Sequence, residues 1–419
     1  MVSTKLIPIT LIFMTTMRYL YSIFFIDPMS GPDAISYLNA RDDLVSHGLF
    51  SQISGVPFWP VGYPWFLRAI YVVFGPNLVW ISLIQTSLWT LGLLSFYFFL
   101  SRRASGKVAI TTTILLLFNP ALTIASTELM YEIPQISLFL IGLDLLDRVP
   151  NSKTLIRATS LSVCGMLLWT FAAIMQPKIL VLFAVCLIYF LFHQYSLKKS
   201  RIILVTFIVL ALALTPSTLA ARNVLAGDGV GVSQNLQTQI EVTLADFPGI
   251  SSHYEECAHL KTKYDNPLYI LCLQKIKFSK APIEGIRLTA YNAFKLISPY
   301  VGSFHYSFGG TGTWYHGADI RRLLPNYEYK RPGTRFWHFD VLLSLIYLIA
   351  WLSIVTMGFK IGLLHFRREA LFFGSLTLLL MAVSLLANGD SRYRLSVIPF
   401  YSVFLGEFLS SKYKRIFKD

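Results

Sequence analysis

The sequence predicts an all-α polytopic membrane protein: about ten transmembrane helices, interfacial helices in the first external loop, and a small external cap. Three observations carry this expectation. Apolar residues make up 54% of the 419 residues and charged residues only 14%, where a soluble domain carries about a quarter charged; the mean hydropathy is +0.57. Many apolar stretches run to about 18–20 residues, enough to cross a hydrocarbon core of roughly 30 Å. The basic residues fall in short clusters, in every second connection between those stretches. A net charge of +14 gathered in one patch would point to nucleic acid. Distributed this way it matches cytoplasmic loops facing anionic lipid, and no nucleic-acid partner is expected.

The first apolar run, Leu6 to Ile26, has spanning length and no small-residue cleavage site, so it reads as a span and not a signal peptide. Leu78 to Leu100 is the second span, ending at Arg102, Arg103 and Lys107. A third runs from Val108 to Ser126 and a fourth from Leu129 to Leu146, before Arg148, Lys153 and Arg157. The fifth, Leu155 to Met175, and the sixth, Ile179 to Phe192, precede Lys198, Lys199 and Arg201; Ile202 to Ala221 is the seventh. Val341 to Met357, Ala370 to Ala387 and Leu395 to Leu409 complete the set, with Lys360, Arg367 and Arg368 after the eighth and Lys412, Lys414, Arg415 and Lys418 after the tenth. The positive-inside bias then places both termini in the cytoplasm of a cell inner membrane. Outside lie residues 27–77, the turns near Glu128 and Gln176, residues 222–340 and the turn near Asp390. The chain divides accordingly into an N-terminal transmembrane module (1–221), an external cap (222–340) and C-terminal transmembrane helices (341–419).

In the first external loop, Asp33 to Ser46 puts Ile35, Leu38, Asp42 and Val45 on one helical face, with Gly48 as a stop. Pro57, Pro60, Gly62 and Pro64 then bend the chain before Trp65 to Phe74, which is apolar but too short to span. Both read as helices in the membrane interface. Cys164 and Cys186 fall within spans and read as core residues. Cys257 and Cys272 fall in the cap, where a disulfide is permitted and two buried thiols are the alternative.

Chemistry is expected at the external boundary, because ionisable groups at that depth are costly and face a cavity or a partner. Asp33 opens the first interfacial helix; a charge complementing the helix dipole is the plain reading. Glu128 and Glu132 lie one turn apart and share a face, as helix caps, as partners of an arginine, or as functional carboxylates. Lys178, Arg222, Arg392 and Arg394 each stand at an external span end, where snorkelling explains any one of them. Together they make a cationic rim suited to a lipid-linked phosphate. His253, His259, Glu255, Glu256 and Cys257 lack the spacing of a zinc site, and Gly309-Gly310-Thr311-Gly312 lacks the strand and helix of a nucleotide loop.

Several segments taken together resemble one family. They are Pro32-Asp33-Ala34-Ile35-Ser36-Tyr37-Leu38-Asn39-Ala40, Pro60-Val61-Gly62-Tyr63-Pro64, Ser126-Thr127-Glu128, Gln176-Pro177, Thr215-Pro216 with Ala221-Arg222-Asn223, and Ser391-Arg392-Tyr393-Arg394-Leu395 with Pro399. In order and placement they resemble the bacterial GT-C glycosyltransferases that use polyprenyl-phosphate sugars, among them the aminoarabinose transferases of lipid A and the protein O-mannosyltransferases. The resemblance implies a cell-envelope enzyme of glycan biosynthesis. It would transfer a sugar from a polyprenyl-phosphate donor to a hydroxyl on a lipid, glycan or protein acceptor, with inversion, next to membrane lipid. It implies Asp33 as general base, Glu128 as a second carboxylate, and Lys178, Arg222, Arg392 and Arg394 on the donor phosphate. Tyr37, Tyr63 and Tyr393 within the motifs, with Tyr306, Trp314 and His316 of the cap, become candidate substrate contacts; an interfacial aromatic belt is the alternative for the cap residues. Ala34 follows Asp33 where many relatives carry a second acid, so no cofactor is required and a divalent metal has no support. Gln176-Pro177 stands where relatives often have Arg-Pro, with Lys178 beside it. Two rival readings remain: a lipid-linked polysaccharide polymerase or ligase, and a transporter, which predicts inverted repeats and midplane charges.

Overall fold

A computed structural model describes residues 33–53, 60–192, 197–227, 229–232, 235–245, 248–297, 337–386 and 395–416, with isolated positions between Thr10 and Leu20. Most of the expected first span therefore lies outside the described residues, as do Tyr306, Trp314, His316, Arg392, Tyr393 and Arg394. Among the described residues there is no strand.

Two short helices come first, α1 (Ala34–His47) and α2 (Gly62–Phe74). The bundle then consists of α3 (Val79–Arg103), α4 (Gly106–Leu117), α5 (Pro120–Ala125), α6 (Glu132–Asp147), α7 (Leu155–Met175) and α8 (Leu180–Leu191). Next, α9 (Leu197–Thr206) runs through a π-helical stretch, Phe207–Leu214, into α10 (Thr215–Leu225). The cap holds α11 (Asn235–Ala245), α12 (Pro248–Ser251), α13 (Pro267–Ser279) and α14 (Pro282–Ile297). Finally α15 (Trp337–His365), α16 (Arg367–Leu386) and α17 (Ile398–Ile416) return to the bundle.

Local chemistry sets several of these ends. The hydroxyls of Ser105 and Thr154 accept from the amides of Val108 and Arg157, each at 3.2 Å, and so start α4 and α7. The expected third span is broken: proline at 120 disfavours helix at Asn119, and the Asn119 side chain caps a new helix by accepting from Leu122 N at 3.1 Å. Among the described residues, four helical stretches are long and apolar enough to cross a membrane: α3, α7, the continuous helix Arg201–Leu225, and α16. Of the other expected spans, the first lies largely outside the described residues, the eighth and tenth correspond to α15 and α17, and the fourth and sixth are shorter helices. In α6, 16 residues long, nearly every side chain is buried, so it is a core helix. α8 has only 12 residues.

The core forms around α6, which packs against α3 and α7. Close approach depends on Gly142, where a Cβ would come within 2.5 Å of the Trp169 ring. With that space open, the Trp169 indole donates to the Phe139 carbonyl at 3.0 Å. It also stacks between Phe139 (5.0 Å) and Phe183 (4.8 Å). Such ring pairs stabilise by about 1 kcal/mol beyond the area they bury.

At the end of the bundle where α3 and α6 finish, opposite charges meet. Asp147, buried, accepts from Arg102 at 2.7 Å and Arg103 at 2.6 Å. Asp144 accepts from Arg102 at 2.5 Å and Arg148 at 2.7 Å. The cap has a separate small core of Ile240, Leu244, Ile250, Tyr269, Leu273, Ile276 and Leu288. There Cys257 and Cys272 form a disulfide, with Cα atoms 6.0 Å apart.

Candidate functional site

The opposite end, where α3 and α6 begin, is built on α1. Asp33 precedes its first residue, and the Asp33 carbonyl accepts from Tyr37 N at 3.0 Å. The side chain makes no capping hydrogen bond to α1, so capping does not account for the carboxylate. The sequence pattern placed Ile35, Leu38, Asp42 and Val45 on one face; of these Ile35 is 66% exposed, while Leu38 packs half-buried against the cluster of Tyr37, Tyr63 and Tyr131. Buried instead are Ala34, Tyr37, Ala40, Arg41 and Leu44. The reason is steric: small Ala34 and Ala40 let α1 lie close on its neighbours, and Tyr37 fills the layer beneath.

Tyr37 lies edge-on to Tyr63 at 4.8 Å and to Tyr131 at 6.4 Å. α2 is held there because Gly62 presses on the end of α7; a Cβ would sit 2.5 Å from the backbone of Ile174 and Met175. The Tyr63 hydroxyl donates to Gln85 Oε1 at 2.7 Å, and Gln85 Nε2 donates to the Glu128 carbonyl at 2.6 Å. Burial, and then the nearby Glu132 carboxylate, push the Tyr63 phenol well above its usual range.

The polar row Ser82, Gln85 and Thr86 on α3 explains Ser126-Thr127-Glu128. Ser82 donates to Thr127 O (2.5 Å) and Thr86 to Ser126 O (3.2 Å), so the carbonyls of a buried turn find partners. Glu128 and Glu132 are both fully buried. On the facing side, Gln135 Nε2 donates to Ala172 O (3.0 Å) and Gln176 O (2.9 Å), a second donor for two carbonyls at the end of α7 that also accept from Gln176 N and Ile179 N. Beyond lies Lys178, whose Nζ donates to the Tyr131 hydroxyl at 3.2 Å and stands 5.3 Å from the Tyr131 ring centroid. Gln176 Nε2 donates to the same hydroxyl at 3.3 Å.

Asp33, Tyr37, Tyr63, Glu128 and Lys178 are thus tied into one layer. Arg222 belongs to a different part of it. Its Nη2 donates to Ser51 O at 2.8 Å and its Nη1 to Asn223 Oδ1 at 3.0 Å. Ser51 bonds back to Gly48, so Arg222 holds the far end of α1, a helix about 20 Å long at 1.5 Å per residue. Leu219 packs there with Ala40, Leu44, Ile53, Val61 and Ile174. The sequence reading missed Gln85 and Tyr131. Gln85 carried a usable signal, an uncharged polar residue inside an apolar span; Tyr131, among many tyrosines, carried none.

No protein-family model matches the chain, and no curated protein matches it in sequence. Solved structures do match in fold. The apo oligosaccharyltransferase of Archaeoglobus fulgidus aligns over 97% of this chain and 51% of its own, at 13% identity and a TM-score of 0.53. The same enzyme tethered to an acceptor peptide containing the NVT sequon aligns over 97% and 50%, at 11% identity and 0.51. Apo ArnT from Cupriavidus metallidurans aligns over 92% and 57%, at 13% identity and 0.45. The chain spans about half the length of these proteins. The likeness establishes that this membrane protein has the GT-C fold of the membrane glycosyltransferases.

Proposed function

We propose that this protein is a membrane glycosyltransferase that moves a sugar from a polyprenyl-phosphate carrier to an acceptor hydroxyl. The observation that carries the reading is the layer joining the Asp33 end of α1, through Tyr37 and Tyr131, to Lys178, in a chain of this fold. The oligosaccharyltransferase in question has been captured with an acceptor peptide, and an acceptor of peptide, glycan or lipid class fits here.

In the reaction, the acceptor hydroxyl attacks the anomeric carbon while its proton passes to the Asp33 carboxylate. The bond from that carbon to the phosphate oxygen breaks, and the carrier leaves as polyprenyl phosphate with the electron pair. Its growing negative charge is met by Lys178, oriented by the Tyr131 hydroxyl, and by Arg392 and Arg394. Attack opposite the leaving phosphate inverts the anomeric centre. Arg222, at the far end of α1, holds the loop that presents Asp33. Glu128, fully buried in the layer, serves as the second carboxylate. No metal is required for this step.

The site belongs on the extracytoplasmic side, with both chain ends cytoplasmic, about ten passes in all, and residues 222–340 as the cap. The Cys257–Cys272 disulfide supports this side, since disulfides persist in oxidising compartments. The test is purified protein in liposomes offered polyprenyl-phosphate sugars, with release of polyprenyl phosphate followed. Wild type consumes at least one donor, and Asp33→Asn loses 100- to 10,000-fold in turnover, roughly what a general base contributes. No consumption of any donor overturns the reading, and undiminished turnover by Asp33→Asn overturns the assignment of the base.

A further inference from the structure

The α13–α14 hairpin of the cap carries apolar side chains that the cap core does not use. On α13 the buried side is Tyr269, Leu273, Ile276 and Lys277. Leu268, Leu271 and Phe278 stand on the opposite side, 61%, 64% and 49% exposed, with Lys275 exposed between them. On α14, Leu288 enters the core, while Ile283 and Ile286 are 67% and 63% exposed and Arg287 is exposed beside them. Both helices therefore have an apolar stripe studded with cations, and large exposed apolar patches mark contact surfaces.

Two facts select the partner. Residues 267–297 hold Lys275, Lys277, Lys280, Arg287 and Lys295 against one acid, Glu284; Lys277 is buried and Lys280 pairs with Glu256 at 3.3 Å, so among the described residues Lys275 and Arg287 are the cations on the exposed stripes. That balance suits an anionic surface. Further, α14 packs against α16, a helix apolar enough to cross a membrane, so the hairpin is continuous with the bundle that lipid surrounds.

We propose that the hairpin is a membrane-surface anchor. Leu268, Leu271, Phe278, Ile283 and Ile286 enter the boundary between headgroups and acyl chains of an anionic leaflet, and Lys275 and Arg287 reach the lipid phosphates. The anchor fixes the height of the cap above the bilayer. It holds whether or not the protein transfers sugars.

The full-length protein is placed in nanodiscs of phosphatidylcholine alone or with phosphatidylglycerol. On a Cys164→Ser background with the native disulfide intact, Leu271→Cys, Ile286→Cys and Glu255→Cys are each labelled with a fluorophore. Spin-labelled lipids are expected to quench the labels at 271 and 286 several-fold more than the label at 255, and more strongly with phosphatidylglycerol. Equal quenching at all three positions overturns the proposal. So does shielding at 271 and 286 from lipid and aqueous quenchers alike in a particle of twice the protein mass, which assigns the face to a second copy. Hydrogen exchange on the unmodified protein needs no substitution: slower exchange of residues 267–290 with phosphatidylglycerol supports the anchor, and identical exchange in both lipids contradicts it.

Discussion

The two ends of the bundle handle charge differently. Where α3 and α6 finish, three arginines share two carboxylates: Asp147 takes Arg102 and Arg103, and Asp144 takes Arg102 and Arg148, all within 2.7 Å, while Lys199 donates to the carbonyls of Pro150 and Ser152. Where the same helices begin, Lys178 and Arg222 count neutral groups among their contacts. Lys178 donates to a phenol, and Arg222 to a carbonyl and an amide. A carboxylate partner offsets a cation's charge, and a phenol or carbonyl acceptor gives it a direction. The carboxylate cluster builds a scaffold, and the end that carries Lys178 is the one the proposed function gives to the donor phosphate.

That contrast is broken most severely at the scaffold end. Asp147→Asn removes the buried carboxylate that Arg102 and Arg103 share, leaving Arg102 on Asp144, and is expected to cost about 3 kcal/mol. A lower unfolding temperature in detergent would show it, with turnover per folded molecule unchanged; lost turnover at unchanged stability would reverse the roles of the two ends. Lys178→Ala removes a charge-assisted contact, worth roughly tenfold or more in donor affinity. Its check is the donor KM, with unfolding temperature held within a degree or two. Tyr131→Phe deletes only the hydroxyl shared by Lys178 and Gln176 and is expected to cost about 1 kcal/mol. Lys178→Ala and Tyr131→Phe combined should then be less than additive.

The smallest effect lies in the cap, where Lys277 is buried with its ammonium 4.9 Å from the Phe278 ring. Burial lowers its amine to about 8, while an unfolded lysine keeps its proton to about 10.4. Between those values the unfolded chain binds more protons, so stability rises with pH across that window. Lys277→Met should flatten the rise, as seen in unfolding midpoints from pH 7.5 to 10.

Much of this was legible from the chain alone, for identifiable reasons. Long apolar runs gave α3, α7 and α16, and Gly48, at φ +99°, ended α1 as its residue type implies. Asp33 stood out because a charge beside an apolar loop is costly. The packing of α1 was not legible, since periodicity marked the Ile35 face of an interfacial helix and gave no sign that small Ala34 and Ala40 are the buried contacts. The third span hid the break at Asn119-Pro120, because hydropathy averages over it. Tyr131 and the Arg222–Ser51 contact depend on elements far apart in sequence; |i−j| is 171 for the latter, and no local pattern announces such a pair.

The account rests on which end of the bundle receives a lipid phosphate. Lysine-reactive footprinting of the reconstituted protein, with and without undecaprenyl phosphate, reads this directly. Protection of Lys178, with Lys107 and Lys153 at the other end unchanged, is the result expected here. Protection of Lys107 and Lys153 with Lys178 unaffected, or no difference anywhere, would contradict it.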